Sequence, residues 1–191
     1  MTILHYILGF PPHRTGGLTK YAIDLAVAEK KLGHNVAFLY PQNMCIHSNI
    51  STMKKEGRGL NDMPIWKLSN GLPVPLFYGI NTPSDFMTER EIKCFDKFLS
   101  EMKPDIFHIH TLMGLPIELL QLMKKGGVRV VYTTHDYFGL CPRVNFINQN
   151  GIVCEQASAK KCATCCANSW PTWMLRIRNS QKIVPLKRFA F

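Results

Sequence analysis

A chain of 191 residues, 46% hydrophobic and 19% charged, can bury a core and reads as one globular domain, not a disordered or fibrous one. Its 23 basic against 13 acidic side chains leave a net charge of +10, which suits an anionic partner: nucleic acid, an acidic membrane surface or a phosphorylated substrate. No basic segment precedes the first apolar run and no stretch has the length of a transmembrane helix, so a cytoplasmic protein is expected, with its seven cysteines as thiols or metal ligands.

Ile3–Leu8 is a near-continuous apolar run, the pattern of a buried parallel strand. After it come Gly9-Phe10-Pro11-Pro12 and the pair Gly16-Gly17. Leu18, Tyr21, Ala22, Leu25, Ala26 and Leu32 then recur at helical spacing, and Gly33 suits a C-terminal cap. Asn35–Tyr40 reads as the second strand. Residues 41–83 are rich in Pro, Gly, Asn and Ser and predict a long excursion with one or two short strands or a hairpin, the apolar pieces being Met63–Leu68 and Val74–Tyr78. Thr88 with Glu91 has the spacing of a capping box and predicts a helix to about Met102. Asp105–Ile109 follows as a strand, Leu115–Lys125 as a helix ended by Gly126-Gly127, and Val128–Thr134 as a further strand.

Strands alternating with helices predict an α/β fold with a Rossmann-like, doubly wound parallel sheet. From His135 to Ala167 the pattern gives way to a cysteine-rich loop, and Trp170, Trp173, Met174 and Ile177 predict a last amphipathic helix with basic flanks.

Several groups can carry chemistry. Gly16 and Gly17 stand between strand and helix, where missing β-carbons and free helix-start amides favour anionic oxygens, although a plain tight turn uses the same residues. The stretch is neither GxGxxG nor a Walker A sequence. Arg14 and Lys20 flank it, as supplements to an anion site or as solvated loop charges. His108, His110 and His135 lie at the carboxyl ends of predicted strands, where ligands collect in open α/β sheets. A neutral imidazole there can hydrogen-bond a hydroxyl or move a proton. His135 ranks first and His110 second, with His108 expected to face the core. Asp136 can orient an imidazole, bind a hydroxyl or cap its loop.

Cys141, Cys154, Cys162 and Cys165 are spaced C-x12-C-x7-C-x2-C, and a tetrahedral structural zinc is the expectation, against reduced thiols in a packed loop. At the C-terminal end, Arg176, Arg178, Lys182, Lys187 and Arg188 beside Trp170, Trp173, Met174 and Ile177 suit an anionic membrane surface or a helix packed on the sheet. The basic residues are scattered, so nucleic acid is a minor option.

The stretch PPHRTGGLTKYAIDLAVAEKKLGHNV resembles the N-terminal signature of glycosyltransferase family 4, and PDIFHIHTLMG followed by VRVVYTTHDYFGLCPR resembles the same family in the same order. The likeness runs from Met1 to about Cys166. It implies a two-domain GT-B enzyme that transfers a hexosyl group from a nucleotide-sugar, with retention and generally without a catalytic metal, to a glycan or lipid-linked acceptor in surface polysaccharide synthesis. Residues 1–167 would be its N-terminal, acceptor-side domain, and 168–191 a basic amphipathic segment. Gly16 and Gly17 would face donor phosphates or acceptor, and His135 the transferred sugar.

Nothing after Cys166 resembles the family's donor-binding domain, with its basic residues and paired glutamates. The expectation is therefore a truncated product, a fragment or half of a split enzyme, nearly inactive alone because the leaving diphosphate lacks stabilisation. The competing reading is a non-catalytic, zinc-stabilised binding module for an anionic partner. A cytoplasmic location, peripheral at the inner face of the membrane, goes with the first.

Overall fold

The apolar run near the N-terminus forms the middle of a sheet. In the computed structural model, which describes residues 1–42 and 48–179, β1 (Thr2–Tyr6) pairs in parallel with β2 (Asn35–Gln42) on one side and β6 (Ile106–Ile109) on the other. Between β1 and β2 runs α1 (Gly17–Lys31). Its end has the Schellman arrangement: the Gly33 amide donates to Lys30 O and the His34 amide to Glu29 O, with Gly33 at φ 87°.

The region read as an excursion contains a hairpin, β3 (Ile50–Arg58) against β4 (Pro64–Ser69), and β4 also extends the parallel sheet from β2. Met63–Leu68 is thus largely strand, whereas Val74–Tyr78 is not: Leu76–Tyr78 is a 3₁₀ turn. The expected helix from Thr88 is corrected as well. Glu91–Lys93 is a short strand, β5, pairing with Ile50–Thr52, and α2 starts only at Phe95 and ends at Met102. Thr88 Oγ1 donates to Ser84 O and caps nothing downstream. Backbone pairing with β3 overrides the local capping pattern. Beyond β6 come α3 (Ile117–Lys125) and β7 (Arg129–Tyr132).

The strand order is β5-β3-β4-β2-β1-β6-β7, and among the described strands of this sheet only the β3–β4 pair is antiparallel. Alternation along the strands supplies both faces. Leu4, Tyr6, Leu39, Phe107 and Ile109 pack with Phe95 and Phe98 of α2 and Leu119 and Met123 of α3. Ile7, Val36, Phe38 and Tyr40 pack with Ala22 and Ala26 of α1, whose small side chains let the helix lie close. Each fully buried aliphatic or aromatic side chain contributes about 1.5–3 kcal/mol. Helices on both faces make the sheet doubly wound, and the strand order reverses at β1, so the switch-point crevice opens where β1 and β6 end.

Residues 135–167 are not wholly loop. Ile147 and Val153 form an isolated antiparallel bridge, and α4 (Ala159–Cys166) is a helix capped by Ser158, whose side chain accepts from the Lys161 amide. A last helix, α5 (Thr172–Asn179), packs differently from expectation. Leu175 is its fully buried residue, while Trp173 is 56% exposed. Thr172 bonds the Asp85 carboxylate, and the Arg178 guanidinium lies 4.2 Å from the centre of the Tyr78 ring. Lys182, Lys187 and Arg188 lie outside the described residues.

Candidate functional site

β1 and β6 run side by side with His5 opposite His108, and both histidines sit on the sheet face that α1 covers. His110 directly follows β6 and its amide donates to Tyr6 O, so it extends the same row. His135 lies beyond β7, the next strand outward. Their rings form one hydrogen-bonded series. Glu29 Oε2 on α1 is 2.6 Å from His5 Nε2, His5 Nδ1 is 2.9 Å from His110 Nε2, and His110 Nδ1 is 3.2 Å from His135 Nε2. His108 branches off, stacked on His110 at 4.2 Å between ring centres and bonded through Nε2 to Thr133 Oγ1 at 2.8 Å.

His5 and His110 have no exposed surface, and Glu29 keeps 17% of its side chain exposed. Desolvation disfavours the charged imidazolium. Burial, reinforced by His108, His5 and His135, pulls His110 down to about 3, and burial also lowers His108. His135 is lowered by burial, with the Asp136 carboxylate opposing. At neutral pH these three rings are uncharged.

The Gly-rich turn meets the histidines through α1. Gly16 has φ 119°, which a β-carbon would strain, and nothing lies within 4 Å of where a β-carbon on Gly16 or Gly17 would stand. One turn into the helix, the Tyr21 ring packs edge-on against His135 at 4.8 Å and His110 at 5.9 Å. The helix start and the strand-end histidines therefore border the same space. Arg14 is half-buried in the preceding loop, its pKa lowered by burial and by the Arg178 guanidinium. Asp136 caps its own loop: Oδ1 accepts from the Phe138 amide at 2.9 Å and Oδ2 from Thr111 Oγ1 at 3.3 Å.

The model of the family described as Glycosyltransferase Family 4 matches residues 15–172. The chain belongs to glycosyltransferase family 4. It is 26% identical over 137 residues to an uncharacterized 42.6 kDa protein in the cps region of Klebsiella pneumoniae, covering 69% of this chain and 35% of that one. Among solved structures, the catalytic domain of Starch Synthase IV from Arabidopsis thaliana bound to ADP and acarbose is similar at 19% identity and a TM-score of 0.41, over 71% of this chain and 34% of that chain. The chain spans about a third of the length of each.

In this glycosyltransferase domain His110 and His135 are hydrogen-bonded to each other, Asp136 follows His135 and bonds Thr111 and Phe138, and Gly16 and Gly17 precede Tyr21, whose ring packs on His135. His108 does face the interior. Sequence reasoning missed His5, Glu29 and Tyr21. The only signal for His5 was a polar residue inside an apolar strand run, matched in parity by His108 and His110.

The cysteines are a different case. Cys141, Cys154, Cys162 and Cys165 line one cavity of about 930 Å³, with Cys162 and Cys165 on α4. Among the described residues, His5, His108 and His110 make up the one set of three or more potential ligand residues whose donor atoms all lie within 4.8 Å of one another. The sulfurs are not gathered into a tetrad, so the residues do not fit the expected zinc. Among the described residues no helix is long and apolar enough to cross a membrane.

Proposed function

We propose that this domain is the acceptor-side half of a GT-B glycosyltransferase that transfers a hexosyl group, with retention, from a nucleotide-sugar to a glycan or lipid-linked acceptor. The observation that carries the reading is the Tyr21–His135 contact, which joins the start of α1 to the strand-end histidines at the switch point. The α1 amides and Arg14 supply positive potential for anionic oxygens, and uncharged His135 supplies a hydrogen-bonding nitrogen for a sugar hydroxyl. His110 backs His135 and Asp136 holds its loop.

A donor-binding domain completes the cleft and stabilises the leaving diphosphate, which is a major catalytic contribution. Residues 1–167 are the catalytic domain's share of this chain. On α5 the exposed Trp173 meets an anionic membrane surface at the cytoplasmic face, where lipid-linked acceptors are found. The relative's location in a cps region supports a part in surface polysaccharide synthesis.

The test is a transfer assay with a panel of nucleotide-sugars and lipid-linked acceptors, using this chain together with its donor-binding domain. His135→Ala should lower kcat/KM by roughly 10²–10⁴-fold. Failure of the complete enzyme to transfer or hydrolyse any nucleotide-sugar would refute the reading.

A further inference from the structure

The cavity of about 930 Å³ is lined by residues between 141 and 166, and the histidine site uses none of them. Its lining divides by chemistry. The charged part is Arg143 with Lys160 and Lys161, against a single carboxylate, Glu155. Among the described residues no ion pair includes any of these four side chains. Arg143 is nonetheless held in place. Its Nε donates to Ile147 O at 3.3 Å, and its Cγ lies 3.4 Å from where a β-carbon on Gly79 would stand. Lys160 and Lys161 do not serve their own helix, because cations in the first turn of α4 oppose the helix dipole.

The aliphatic part of the lining belongs to a hairpin. Ile147 and Val153 form the antiparallel bridge, and Asn148 closes the turn between them, its Oδ1 accepting from the Asn150 and Ile152 amides at 2.9 and 3.0 Å. Ile147, Ile152 and Val153 remain 40%, 62% and 67% exposed, although such side chains are the ones most often buried. Cys141, Cys154, Cys162 and Cys165 join this lining, and a free thiol packs as a small apolar group. The cavity also adjoins the strand-end site. The Tyr137 ring, two residues after His135, packs edge-on against Phe146 of the lining at 4.8 Å, and the Cys141 amide donates to Tyr137 O at 2.8 Å.

We infer that this cavity binds an amphipathic phosphate, a phosphate or diphosphate ester of an aliphatic alcohol, with Arg143, Lys160 and Lys161 on the anionic oxygens and Ile147, Ile152 and Val153 along the chain. Such a ligand uses both parts of the lining. Inorganic phosphate alone leaves the aliphatic side chains in water, and a neutral lipid leaves the three cations without a counter-charge. The volume falls in the range of about 300–1,000 Å³ usual for small-molecule sites. That this ligand is the acceptor of sugar transfer rests on the function proposed above; its binding does not.

The test is titration of this chain with farnesyl diphosphate below its micellar concentration, read by calorimetry and by amide ¹⁵N–¹H shifts. Saturable binding is expected, roughly tenfold or more tighter than that of inorganic diphosphate or farnesol, with the shifts concentrated in residues 141–166. Lys160→Glu with Lys161→Glu should weaken it on the order of tenfold. Ile152→Asp with Val153→Asp should weaken it by roughly as much and leave inorganic diphosphate unaffected. All four side chains are exposed, so both double variants keep the fold, and the amide signals outside 141–166 verify this. Equal affinity for inorganic diphosphate or for farnesol overturns the proposal, as does binding that neither double variant alters. Lysine-dependent sedimentation with anionic vesicles, without binding of monomeric farnesyl diphosphate, also overturns it and makes this face a membrane contact. In the complete enzyme the lysine double variant should raise KM for a lipid-linked acceptor on the order of tenfold with kcat unchanged. An unaltered KM beside intact binding overturns the acceptor assignment. Absence of transfer by the wild type sinks the functional reading and leaves the binding result standing.

Discussion

The histidine series and the cysteine-rich stretch both collect reactive side chains near the carboxyl end of the sheet, and they are built on different terms. The histidines come from two central strands and the turn after a third, and every ring nitrogen used between Glu29 and His135 Nε2 has a partner within 3.2 Å. The cysteines come from one continuous stretch with a single isolated bridge and a short helix, and their thiols line an open cavity. Spacing in sequence nominated the cysteines and not His5. What makes a cluster is shared burial on rigid elements: the strand register forces His5 against His108 and His110, whereas nothing forces Cys141 toward Cys165.

The comparison breaks first if the histidine series contributes nothing to stability. His5→Ala removes a ring from the core, strips the Glu29 carboxylate of its partner and leaves the buried His110 Nε2 without its hydrogen-bond partner. The expected cost is about 2–4 kcal/mol, against less than about 0.5 kcal/mol for His34→Ala at the helix end. Urea denaturation of both variants measures the difference. Equal midpoints would show that the series is incidental to the fold.

Much of this architecture is legible in the sequence. The strand–turn–helix–strand unit of residues 3–39, the strand before His110 and the strand before His135 follow from apolar runs and glycine punctuation, and placing histidines at strand ends found two of the three rings in the hydrogen-bonded series. His5 and Glu29 escaped for physical reasons. His5 and His110 are 105 residues apart, and only the β1–β6 register, which no local pattern encodes, sets them together. Glu29 looks like any solvated charge near a helix end. The same logic explains the failed capping box at Thr88, where pairing of Glu91–Lys93 with β3 decided the structure.

The next effect in size is on pH dependence. His108, His110 and His135 all have pKa values below the unfolded value near 6.5. A base depressed in the folded state stabilises fully above its unfolded pKa, and that contribution is lost as pH falls from 6.5 toward the folded value, because the unfolded chain takes up the proton first. For His110, whose value is about 3, the loss between pH 7 and pH 5 is on the order of 1–2 kcal/mol. Urea midpoints should therefore fall across that window. A curve that is flat from pH 7 to pH 5 would mean that the rings accept protons in place.

The smallest effect is expected from the cysteines. Replacing Cys141, Cys154, Cys162 and Cys165 together by serine removes no sulfur-bridged tetrad and exposes no packed core, since all four line a cavity and Cys166 is the buried thiol of the group. The cost should stay within about 1 kcal/mol, and the reduced protein should carry zinc well below one per chain. Loss of a structural zinc would instead unfold the region outright, because the free energy of metal binding is then folding free energy. A tightly bound equivalent of zinc, released by the quadruple variant with a large drop in stability, would reverse the contrast between the two clusters. Residues 135–167 would then be a domain element organised by metal, and the histidines a second, metal-free element beside it.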